Sequence, residues 1–126
     1  MPAPALAKLL RPLAWLALAG SLAGCTHVVQ IGRRGVLRVA LSEYRLGPDQ
    51  ASARTGALTI AARNFGRLTH NLVVSSNGQA RATIRPMPPG QSGRVTVSLA
   101  PGTYQLASTI LSDQALGVYG TLTITS

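Results

Sequence analysis

Three residue types that make up a nucleophilic triad occur in the second half of the chain: His70, Ser108 and Asp113. A working triad needs the serine hydroxyl on one imidazole nitrogen, the carboxylate on the other, and an oxyanion hole beside the serine. Ser108 sits in Leu106-Ala107-Ser108-Thr109-Ile110, with no G-x-S-x-G elbow and no helix start to supply oxyanion donors. The trio serves more simply as a buried polar network. Asp113 then accepts from His70 and Ser108 completes the set, because polar groups in a core must be paired. No catalytic residue is therefore assigned. His70 and Met87, in Arg85-Pro86-Met87-Pro88-Pro89-Gly90, offer an imidazole and a thioether, soft donors that could hold Cu(I) or Cu(II) weakly with Asp113 as a third ligand. Two or three such ligands make a poor site.

Cys25 is the only thiol, which excludes a disulfide scaffold. It follows a leader with Lys8 and Arg11 at its start and an uncharged stretch from Leu13 to Ala23. These eleven residues are too few to cross a bilayer, which takes about 20. A positive start, a short apolar centre and small residues before a cleavage point describe a secretory signal. Leu22-Ala23-Gly24-Cys25 resembles the lipobox of bacterial lipoproteins, which implies that Cys25 becomes an acylated N-terminus. Several acyl chains hold a protein on a membrane where one would be marginal. The expected plan is a signal peptide over 1–24, a tether over 25–34 with His27 as a solvated linker residue, and one domain over 35–126. The lipid bilayer is the first expected partner, and the location is an extracytoplasmic face of the cell or outer membrane.

The 126 residues leave room for one domain, and 46% hydrophobic content excludes disorder. No period marks a repeat or collagen-like chain. Twelve Lys and Arg against three Asp and Glu give +9, and beyond the leader every basic residue is Arg. An exported, tethered chain meets no nucleic acid routinely, and four aromatics beyond the leader are too few for a base-stacking platform. The arginines are either plain solvated charges or an attraction toward anionic lipid or wall polymer.

After the tether, short β-type runs alternate with turn residues: Val36–Leu46, Ala57–Asn64, Leu72–Ser75, Arg81–Arg85, Arg94–Ala100, Thr103–Thr109 and Val118–Thr125. Gly47-Pro48-Asp49, Asn64-Phe65-Gly66, Ser76-Asn77-Gly78, Pro88-Pro89-Gly90 and Pro101-Gly102 separate them. Close, even spacing without a helical period predicts an all-β sandwich or barrel. Ile110–Leu116 is either a loop or one short helical turn. Side-chain parity then places the chemistry. His70 shares a face with Leu72 and Val74, Ser108 with Tyr104 and Leu106, and Val118 with Leu122 and Ile124. All three point inward at strand ends.

A His, a Ser and a Val aimed at one end of a sandwich resemble the copper site of the cupredoxins, with its chemistry removed. The resemblance spans Val36 to Ser126. Its landmarks are Asn64-Phe65-Gly66, Thr69-His70-Asn71-Leu72-Val73-Val74, Pro89-Gly90-Gln91-Ser92, Pro101-Gly102-Thr103-Tyr104 and Gly117-Val118-Tyr119-Gly120-Thr121-Leu122-Thr123-Ile124. It implies a Greek-key sandwich of about seven to eight strands. Copper-bearing members hold the metal with Cys, two His and Met. Here His70 matches the first His, while Ser108, Asp113 and Val118 stand at the Cys, second His and Met positions. A type 1 centre needs a thiolate, and a Ser hydroxyl stays protonated at neutral pH. The resemblance thus implies a degenerate copper site, no cofactor and no electron transfer. It further implies that Asn71 pins the two loops of the former site. Tyr104 is expected to be a core aromatic whose hydroxyl reaches backbone at a strand corner. Relatives receive partner proteins at this end, so the sheet edges and the apolar end around Leu68, Pro86–Pro89, Leu111, Leu116 and Val118 are the expected partner surface. The expected function is a binding or structural module, not an enzyme. The alternative is a copper-binding protein or carrier using His70 and Met87.

Overall fold

A computed structural model describes residues 27–126, so the leader and Cys25 lie outside the described residues. Ten strands form in chain order: β1 (Val29–Ile31), β2 (Val36–Ser42), β3 (Arg45–Gly47), β4 (Gln50–Arg54), β5 (Ala57–Asn64), β6 (His70–Ser76), β7 (Gln79–Met87), β8 (Ser92–Ser98), β9 (Gly102–Ala107) and β10 (Tyr119–Thr125). They pair as a six-stranded sheet, β1-β4-β10-β9-β6-β7, and a four-stranded sheet, β3-β2-β5-β8. Both sheets are mixed: β4 runs parallel to β1 and β10, and β2 parallel to β5.

The strands form where alternation lets one face bury. In β2, Leu37, Val39 and Leu41 are buried while Arg38 and Ala40 are exposed, and β10 buries Leu122 and Ile124 between exposed threonines. Leu37, Leu41 and Ile60 of the small sheet belong to the same core as Leu72, Leu106 and Leu122 of the large one. Each fully buried Leu or Ile of this kind contributes about 1.5–3 kcal/mol.

Three details depart from the sequence reading. Val36–Leu46 is two strands, because Ser42 pairs with Arg45 and Glu43-Tyr44 closes a two-residue hairpin, with Tyr44 at φ 65°. Gln50–Arg54 is a strand that composition hides, its inward positions being only Ala51 and Ala53. Val29–Ile31, in the expected tether, joins the large sheet beside β4. The count is therefore ten, not seven or eight. The surplus lies in three short strands, β1 and β4 on one side of the large sheet and β3 at the edge of the small one.

Strand direction decides which loops meet. β5, β7 and β9 run toward one end of the sandwich, and β6, β8 and β10 begin there. The β2–β3 hairpin and the segments 65–69, 88–91 and 108–118 gather at that end. Residues 111–117 are a run of turns that includes one helical bond, Leu116 N–H to the Ser112 carbonyl at 3.0 Å. Gly117, at φ +114°, brings this run against the β2–β3 hairpin: a Cβ there would stand 2.6 Å from the Tyr44 carbonyl oxygen.

Candidate functional site

Parity set His70, at the start of β6, and Ser108, just past β9, facing inward, and neither has any exposed surface. Between them lies Asp113 from the run of turns. Its Oδ2 is 2.7 Å from His70 Nδ1 and accepts the Ser108 hydroxyl at 2.6 Å. The shorter bond takes that single hydroxyl proton, although Asn71 Oδ1 stands 3.2 Å from the same oxygen. Asn71 Oδ1 is served instead by the Thr109 N–H at 2.7 Å, while its Nδ2 donates to Thr109 Oγ1 at 3.0 Å. Asn71 thereby ties β6 to the loop that leaves β9. At the far corner, the Tyr104 hydroxyl donates to the Ala100 carbonyl at 2.7 Å.

The other imidazole nitrogen meets a residue that the sequence reading passed over. His70 Nε2 is 3.3 Å from Glu43 Oε1, in the β2–β3 hairpin. The same oxygen accepts the backbone N–H of Arg67 at 2.7 Å and of Leu68 at 2.8 Å. The carboxylate occupies the space where a Cβ on Gly66 would stand. The Leu68 N–H is the largest influence on its pKa, which falls from 4.5 to about 2; the Arg67 N–H and the His70 side chain act the same way against partial desolvation. An ionised Glu43 can only accept, so Nε2 is the donor in that contact, and Nδ1 faces Asp113 Oδ2 at hydrogen-bond distance.

This arrangement has a pH consequence. Because the Glu43 pKa is lower folded than unfolded, the unfolded chain binds more protons between about pH 4.5 and about 2. The stability this carboxylate contributes is complete above 4.5 and is lost as pH falls through that window. Glu43→Gln should flatten that part of the pH–stability curve, read by urea unfolding at successive pH values.

Asn64 is the second residue whose role sequence reasoning missed. Its side chain, with no exposed surface, donates to the Leu68 carbonyl at 2.6 Å and the Met87 carbonyl at 2.8 Å and accepts the Gly66 N–H at 2.8 Å. It locks the loop that presents Arg67 and Leu68 to Glu43.

The triad geometry is not present. Ser108 bonds Asp113 and not His70, and Glu43 occupies the imidazole nitrogen a nucleophile would need. Met87 closes β7 in register with His70, but it is buried in the core with its sulfur beside Gly93 of β8. Val118, expected on the partner surface, is fully buried, as Met87 is. Their apolar side chains complete the core under the loops. Among the described residues no group of three or more His, Cys, Asp and Glu side chains converges as metal ligands do. Glu43 and Asp113 approach opposite edges of one ring, so they share no central point. A type 1 copper centre does not fit this donor set. No thiol lies among the described residues, and both imidazole nitrogens already have carboxylate partners.

No protein-family model matches the sequence, nor does any curated protein. Solved structures do match. Dithionite-reduced auracyanin from the photosynthetic bacterium Roseiflexus castenholzii superposes with a TM-score of 0.67 at 18% identity, over 72% of this chain and 97% of that one. Auracyanin A of Chloroflexus aurantiacus, a blue copper protein, gives 0.61 at 15% identity, over 72% and 100%. Rusticyanin from Thiobacillus ferrooxidans gives 0.61 at 12% identity, over 78% and 82%. These are cupredoxins, and the chain has a cupredoxin-like β-sandwich fold.

Proposed function

We propose that this chain is a membrane-anchored, extracytoplasmic module of the cupredoxin fold, in which hydrogen-bonded polar side chains fill the place of a copper ion. It acts as a binding or structural protein, without electron transfer and without catalysis. One observation carries the reading: both nitrogens of the buried His70 are engaged by the carboxylates of Asp113 and Glu43. Ser108 and Val118 stand where the resemblance puts the sulfur ligands, and the only thiol, Cys25, ends the lipobox-like Leu22-Ala23-Gly24-Cys25. Bringing His70 to a metal would break a part-buried contact with a carboxylate for each nitrogen freed, against the weak return of a thioether already packed in the core. The carrier reading through His70 and Met87 has only their pairing in register between β6 and β7 behind it.

Two measurements test the proposal. Mass analysis of the mature N-terminal peptide should find Cys25 first and carrying acyl chains, and an unmodified Cys25 would remove the anchor. Protein equilibrated with copper should give no reversible one-electron wave at an electrode, and a reversible wave would restore an electron-transfer role.

A further inference from the structure

Five of the eight exposed large hydrophobic side chains among the described residues, Tyr44, Phe65, Leu68, Leu111 and Leu116, lie in loops at the end that buries His70. They form one surface. Glu43 binds the backbone of Arg67 and Leu68, Gly117 abuts the Tyr44 carbonyl, and Asp113 reaches His70 from the turn that carries Leu111 and Leu116. Leu111 is 95% exposed and sits at φ 51°, an unfavourable conformation for a leucine. Exposed Arg45, Arg63 and Arg67 surround this surface, and Arg63 lies over the Phe65 ring at 5.1 Å. Of the carboxylates at this end, Glu43 and Asp113 are both committed to His70, while exposed Asp49, just before β4, borders Arg45 and Gly117 and leaves the three arginines in excess.

The N-terminus points the same way. β1 runs parallel to β4 and β10, which begin at this end, and Val29 stands level with Leu122, three residues into β10. Cys25 lies four residues before Val29, and four extended residues reach about 14 Å. An anchor there holds the apolar end close to the bilayer, with no slack for the domain to stand off.

We propose that this end lies against an anionic phospholipid bilayer, with Leu111 and Leu116 entering the headgroup region and Arg45, Arg63 and Arg67 meeting lipid phosphates. It rests on the anchor reading above for its biological setting, but the surface is testable without the anchor. Apolar tips flanked by arginines bind such interfaces by adding buried apolar area to phosphate attraction. The buried His70 cluster then faces the membrane.

The test uses the chain from residue 25 onward with Cys25→Ser, whose core lies wholly within residues 31–124. The only Trp is Trp15, in the leader, so a single reporter is unambiguous. With equimolar phosphatidylcholine–phosphatidylglycerol vesicles, Leu111→Trp emission should shift to the blue while Val36→Trp, at the opposite end, should not move. Adding Leu116→Ser and Leu68→Ser should cut partitioning about tenfold, and phosphatidylcholine alone should bind about tenfold more weakly or worse. Equal behaviour of the two reporters, or partitioning indifferent to the serine substitutions, overturns the proposal. Absence of vesicle binding does so too, and would assign the surface to a protein. An unacylated Cys25 together with the Leu111→Trp shift removes the anchor and keeps the surface.

Discussion

Asp113→Ala is expected to destabilise the fold by about 3–4 kcal/mol, since it strips the common acceptor from two buried donors at once. His70 Nδ1 and Ser108 Oγ both depend on Asp113 Oδ2, at 2.7 and 2.6 Å, and neither His70 nor Ser108 has exposed surface to offer water. Asp113→Asn should fall between, because its amide oxygen keeps an acceptor but loses the charge that strengthens both bonds. Asp49→Ala is the control. That side chain is exposed and has no carboxylate contact with any described cation, so its removal should stay within about 0.5 kcal/mol. Denaturant unfolding of the three variants checks the order. A cost for Asp113→Ala no larger than that for Asp49→Ala would mean that the polar cluster does not hold this end together.

Asn64→Ala should cost about 2–3 kcal/mol, from three hydrogen bonds lost inside the loop end. The Leu68 and Met87 carbonyls lose their amide donor and the Gly66 N–H loses its acceptor, all beneath a side chain that water does not reach. Asn64→Asp separates hydrogen bonding from size. It keeps the acceptor for Gly66 but sets carboxylate oxygen against two carbonyls, so it should be at least as damaging as Ala at neutral pH. The loss should extend beyond stability. With residues 64–68 loosened, Arg67 and Leu68 no longer present their N–H groups to Glu43, and amide exchange at those positions should accelerate. An Asn64→Asp variant as stable as the parent would contradict the clamp.

Much of this was legible from side-chain order. Alternation placed β5, β8 and β10, where apolar and polar residues trade places on a half-buried sheet. The same parity set His70, Ser108 and Val118 inward, as they stand. β1, β3 and β4 escaped notice because strands of three to five residues carry too few apolar side chains to show a period. Glu43 escaped for another reason. Its contact with His70 spans 27 positions and is made by a hairpin closure, which no local pattern records. One signal was available: beyond the leader the chain has only three acidic residues, and a carboxylate retained amid ten arginines invites a structural reason. Asn64 reads as a turn former, and only the burial of that turn turns it into a clamp. Met87 was expected at the surface because flanking prolines and a glycine make a loop of its surroundings, and Val118, though set inward by parity, was also counted with the apolar partner end. Each nevertheless drops one apolar side chain into the core.

The most direct test is calorimetric titration of the chain from residue 25 onward, carrying Cys25→Ser, with Cu(I) and with Cu(II), run beside the same chain bearing His70→Ala. With both imidazole nitrogens held by carboxylates and no thiol left in the sample, the two proteins should give the same heat for either ion, and neither should develop an intense visible band. Stoichiometric heat that disappears in His70→Ala, or a strongly coloured complex, would contradict the reading of this site as a copper centre replaced by hydrogen bonds.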